Sequence, residues 1–118
     1  MTIGDTRSVF EHHVDAFGEQ DLEETMADYT DESVVVTNAG TFRGLDEIEE
    51  LFTGLFAEFS QEHTSVTVDE MIVEGEFGYL LWHGETPDNV YDFCTDTFHI
   101  PDGTIQFQTY AGKTEPKG

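Results

Sequence analysis

Two side-chain types in this chain can move a proton near neutral pH: imidazole and carboxyl. Five histidines stand among 26 acidic residues. The pair best placed to act together is His83 and Asp96, on two runs that read as neighbouring strands, about Phe77 to Thr86 and about Val90 to Ile100. If the chain turns at Pro87-Asp88 or at Asp88-Asn89, odd residues before the turn pair with even residues after it. One face then carries Tyr79, Leu81, His83, Glu85, Val90, Asp92, Cys94, Asp96, Phe98 and Ile100. The other carries Leu80, Trp82, Tyr91, Phe93, Thr95, Thr97 and His99. The earlier turn sets His83 opposite Asp92. The later turn sets it opposite Cys94, with Asp96 its diagonal neighbour. Either way an imidazole and a carboxyl group share one side, as general acid–base chemistry requires. The plainer alternative for His83 is a hydrogen-bonded core histidine.

Other chemistries find little support. The histidines at 12, 13, 63, 83 and 99 show no zinc-ligand spacing, and Cys94 has no partner cysteine, so neither a metal nor another cofactor is expected. Arg7, Arg43, Lys113 and Lys117 are the only basic side chains besides histidine, too few for a phosphate-tracking surface, so nucleic acid is not an expected partner.

The elements that must position these groups are legible from periodicity. Val9, Phe10, His13, Val14 and Phe17 recur at helical spacing, and Gly18 follows as a stop. Asp21 with Glu24 three residues on opens a second, short helix. Ser33–Thr37 reads as a β-branched strand. From Leu45 to Phe59 an apolar stripe marks the clearest helix. The period then changes to two, with strands around Val66–Ile72, Phe77–Thr86, Val90–Ile100 and Thr104–Ala111, separated by Glu74-Gly75-Glu76, Pro87-Asp88-Asn89 and Pro101-Asp102-Gly103. The order α-α-β-α-β-β-β-β predicts an α+β domain, an antiparallel sheet with helices on one face. One domain over 1–118 is expected, with 113–118 a frayed tail.

Composition sets the environment. Ten Phe, four Tyr and one Trp are enough to build a core. A net charge of −22 would repel itself in dilute buffer. At molar salt the Debye length falls to about 3 Å, so the acid excess reads as adaptation to a salty interior. The lone Cys94, the lack of an apolar leader in residues 1–15 and the lack of a membrane span predict a cytoplasmic protein.

Several of these pieces resemble the NTF2-like superfamily, in its SnoaL-like and ketosteroid-isomerase-like branch. They are Asp21-Leu22, Tyr29-Thr30-Asp31, Phe42-Arg43-Gly44, Asp96-Thr97-Phe98 and the run from Asp102-Gly103-Thr104-Ile105 to Gln108. The resemblance implies a cone-shaped fold with three helices on a strongly curved sheet. It assigns the Asp96 face to a pocket, with Asp96 on the isomerases' oxyanion-binding aspartic acid and His13 on a pocket tyrosine. The isomerases' general-base aspartate falls on Thr37 here, a departure from the pattern. The polyketide-cyclase branch is similar in placing a histidine and an aspartate on neighbouring strands. The implied pocket is lined by His13, Tyr29, Tyr79, Leu81, Phe98 and Phe107, with Asp96 and His83 as acid and base. It would serve a cofactor-independent isomerase, cyclase or dehydratase of a small apolar carbonyl compound, or a non-catalytic binder or association domain. The opposite face, with Trp82, Phe93 and Tyr110, is the expected homodimer surface.

Overall fold

The computed structural model describes residues 5–117, so residues 1–4 and 118 of the expected domain lie outside the described residues. Helix α1 (Thr6–Gly18) starts where the Asp5 carboxylate accepts the Ser8 amide at 2.7 Å. Helix α2 (Leu22–Met26) is capped as its sequence predicts, with the Glu24 amide donating to Asp21 Oδ1 at 3.1 Å. Strands β1 (Val34–Thr37) and β2 (Gly40–Arg43) form a tight hairpin, then α3 (Gly44–Phe59) crosses the sheet. Strands β3 (Ser65–Glu74), β4 (Phe77–Glu85), β5 (Asn89–His99) and β6 (Phe107–Pro116) complete a six-stranded sheet in the order β2-β1-β6-β5-β4-β3. The α+β class and the cone of three helices on a mostly antiparallel curved sheet stand as expected.

Three details differ from expectation. Strand β2 is additional, since no element is expected between Thr37 and Leu45. Strand β1 lies parallel to β6, Val35 beside Gln108, so one pair of the sheet is not antiparallel. The expected tail is largely strand: β6 runs to Pro116, which pairs with Asn89, and the Lys117 amide donates to the Asp88 carbonyl at 2.8 Å.

The core lies between α1, α3 and the concave side of the sheet, with Phe10, Ile48, Phe98, Ile100 and Ile105 fully enclosed. Helix α1 approaches β4 so closely that a Cβ on Gly78 would meet the Phe10 ring at 2.9 Å. Glycine there lets the helix sit down on the sheet.

The register of β4 against β5 decides which side chains reach this interior. Near the turn, Glu85 pairs with Val90 and Gly84 with Tyr91, as the earlier turn requires. Trp82 then pairs with Cys94 and Leu80 with Asp96, so His83 alone stands against Asp92 and Phe93. This β-bulge inserts one residue into β5 and reverses the pairing parity beyond it. Leu80 and Trp82 therefore join Asp96 and Phe98 on the concave face, and Tyr79, Leu81 and His83 turn outward. The expected dimer surface is corrected accordingly: Trp82 is 7% exposed and Tyr91 is buried, and of the aromatic residues assigned there Phe93, at 59%, faces outward.

Candidate functional site

Asp96 sits at mid-strand in β5, flanked by Leu80 on β4 and Tyr110 on β6. It is buried, and neutral donors meet both of its oxygens. Trp82 Nε1 donates to Oδ2 at 2.9 Å and Gln108 Nε2 donates to Oδ1 at 3.0 Å. The Tyr29 hydroxyl donates in turn to Gln108 Oε1, which fixes which end of the amide faces the carboxyl. Burial pushes the Asp96 pKa up to about 6, although the two hydrogen bonds pull the other way. The carboxyl is thus poised between its two charge states near neutral pH. Burial raises the Tyr29 hydroxyl well above its ordinary range, so it stays a neutral donor.

Asp96, Trp82 and Gln108 border a cavity of ≈ 830 Å³ between α1, α3 and the concave sheet. Phe52 and Phe59 of α3, Phe98 and Trp82 of the sheet and Phe17 of α1 supply its apolar walls, and Asp15 and Glu19 also border it. Thr37 borders it too, but its hydroxyl is occupied in the β1–β2 turn, donating to the Gly40 carbonyl at 3.0 Å.

His13 also borders this space, from α1. Its ring is 5.1 Å from Phe98 and 5.7 Å from Tyr29, centroid to centroid. Its Nδ1 is sealed from solvent without a hydrogen bond, 4.0 Å from the nearer Asp28 oxygen. Burial, with the neighbouring His12 as a smaller cause, lowers its pKa to about 3, so the ring is neutral at pH 7. His12 points the other way and ties α1 to α2. Its Nδ1 lies 2.8 Å from Asp28 Oδ2 and its Nε2 2.9 Å from Glu24 Oε1, contacts that raise its pKa.

The expected site residues divide cleanly. Asp96, His13 and Phe98 line the cavity, and Tyr29 reaches Asp96 through Gln108. His83 does not share it: its side chain is 49% exposed on the outer face, with Nδ1 2.7 Å from Asp69. Tyr79 and Leu81 are half-buried on that outer face, and Phe107 is 42% exposed there beside Val34. The bulge explains these displacements on β4. On β6, Phe107 and Tyr110 stand on faces opposite to those expected, because Asp96 pairs with Tyr110 and Phe98 with Gln108. Trp82 and Gln108, the two donors to Asp96, were missed for the same reason, although Gln108 closes the motif that suggested the fold. Among the described residues no group of three His, Cys, Asp or Glu side chains could hold a metal ion. No helix among them is long and apolar enough to cross a membrane.

A concave sheet closed by helices encloses the cavity that Asp96 borders. The chain belongs to the SnoaL-like domain family, which matches residues 10–107. No curated protein sequence matches it. Among solved structures it is similar to a protein assigned as a ketosteroid isomerase from Kribbella flavida (13% identity, 97% of this chain and 82% of that one, TM-score 0.76). It is also similar to one assigned as a polyketide cyclase from Sinorhizobium meliloti (17% identity, 86% and 92%, TM-score 0.72). A de novo designed protein with a curved β-sheet matches as well (15% identity, 96% and 88%, TM-score 0.76). At these identities the likeness is one of fold, and a shared fold does not by itself fix an activity.

Proposed function

We propose that this chain binds a small, largely apolar molecule in the cavity, with Asp96 as its polar anchor. The observation that carries this reading is a carboxyl group buried beside an open apolar space rather than inside filled core. Burial of that group is costly, and a packed core would be cheaper without it. Nile red, a neutral dye that brightens and shifts to the blue in apolar surroundings, tests the pocket directly. Saturable binding of one dye per chain in molar KCl is expected, weakened by Val68→Trp, which places a large ring at the cavity wall from a position already 41% exposed. Absence of saturable binding, or binding indifferent to Val68→Trp, would refute the pocket.

A catalytic form of the same reading is favoured by the burial of Asp96 at the cavity wall, which pushes its pKa up to about 6. A carboxyl so poised can take a proton from a bound compound and return it elsewhere, which suits a cofactor-independent isomerase, cyclase or dehydratase of a small carbonyl compound. With His83 outside the cavity, Asp96 would carry the proton alone, His13 and Tyr29 serving as neutral hydrogen-bonding groups. Two assembly features belong to this proposal. Homodimerisation is assigned to the outer sheet face, where Phe77, Phe93 and Phe107 are exposed, and the acid excess is assigned to life at high salt.

A further inference from the structure

The walls around Asp96 also restrict the charge of the ligand. Among the described residues no lysine or arginine borders the cavity, and His13 is held neutral there. The carboxyl oxygens receive only the neutral Trp82 and Gln108 donors, which leaves about half of their lone-pair sites open. Aromatic rings with electron-rich faces, Phe52, Phe59, Trp82, Tyr91 and Phe98, surround the same space. An anion entering would meet Asp15, Glu19 and Asp96 at close range. A neutral ligand would gain from burial alone. A cation gains from burial, from the ring faces and from the one buried charge that lacks a positive partner.

Building on the pocket reading above, we propose that the ligand is an organic ammonium compound, with its apolar body against the α3 phenylalanines and its nitrogen directed toward Asp96. Asp96 and the ring faces then set specificity by charge, and cavity volume admits bulky bodies.

Three rigid probes of nearly equal shape separate the possibilities: 1-adamantylamine, 1-adamantanol and adamantane-1-carboxylate. Binding is followed at about pH 7.5 in molar KCl by calorimetry and by emission of Trp82, the one tryptophan of the chain. The ammonium is expected to bind about tenfold or more tighter than the alcohol, the effect of roughly one cation–ring contact or one desolvated ion pair. The carboxylate is expected to bind weakest. In Asp96→Asn, checked for native circular dichroism, the ammonium advantage is expected to shrink to about twofold or less. Alcohol or carboxylate binding as tightly as the ammonium overturns this inference but leaves the pocket standing. An ammonium advantage that survives Asp96→Asn also overturns it, because the cation would then sit elsewhere. Failure of all three probes while Nile red still binds and responds to Val68→Trp overturns the inference alone. Failure of Nile red as well overturns the pocket with it.

Discussion

Asp96→Asn should change how stability depends on pH, by an amount that follows from its surroundings. The folded-state pKa of about 6 lies above the ordinary 3.8 because burial disfavours the charge. For a carboxyl raised in this way the folded state binds the proton more tightly than the unfolded chain does. Its stabilisation is therefore fully present below about pH 4 and is lost as pH rises through about 6. A shift of this size corresponds to about 3 kcal/mol in total at roughly 1.4 kcal/mol per pH unit. The acid half of that window lies close to the isoelectric point of ≈ 4.1, where a vanishing net charge favours association. Between about pH 5 and 7.5 some 1.4 kcal/mol remains measurable. Asparagine carries no titrating proton, and Gln108 can turn its amide to present oxygen to the new side-chain N–H. Urea melts of both proteins in molar KCl should show the variant gaining on the wild type by about 1.4 kcal/mol across this interval. Taking the difference cancels the other 25 acidic groups. A difference flat with pH would mean that Asp96 titrates as an ordinary carboxyl, and the reasoning would fail.

Three further outcomes are expected. Circular dichroism should show loss of structure below a few hundred millimolar salt and recovery in molar KCl, because −22 then lies within a screening length of about 3 Å; full structure in dilute buffer would contradict the halophilic reading. Gly78→Ala should cost about 1–3 kcal/mol in the same urea melts, since its methyl group would press on the fully enclosed Phe10 ring, and an unchanged midpoint would show that the ring yields freely. Light scattering in molar KCl should give a dimer at micromolar concentration and a monomer for Phe93→Glu, whereas a wild-type monomer would remove the proposed outer-face interface.

The fold was legible because its signals are local. The change of period after Phe59, the Asp21 cap with Glu24 and the three turns between strands each depend on a few neighbouring residues. Strand β2 was not, since Gly40–Arg43 has too little alternation to distinguish a four-residue strand from a loop. The site was half legible. Asp96 and Phe98 could be found because they alternate within one strand, and His13 because the helical stripe turns it inward. His83 and Trp82 changed places because a single inserted residue at Asp92-Phe93 reverses parity, and nothing in the local composition marks that insertion. A β-bulge is set by how two strands twist against their neighbours, here β6 as well as β4, whose register also shifts between Tyr91 and Phe93. The expectation that His83 would share the cavity with Asp96 fails, and the histidine that borders it is His13, from the helix side.

The central claim is that Asp96 is a buried, titrating anchor in a ligand cavity. The measurement that tests it most directly is the carboxyl ¹³C shift of Asp96 followed by NMR through a pH titration, assigned by its loss in Asp96→Asn. The free protein should give a midpoint near about 6. Saturation with Nile red should move that midpoint upward, because a neutral apolar body strips the remaining water from the carboxyl. A midpoint near 3.8 that the dye does not move would contradict the account.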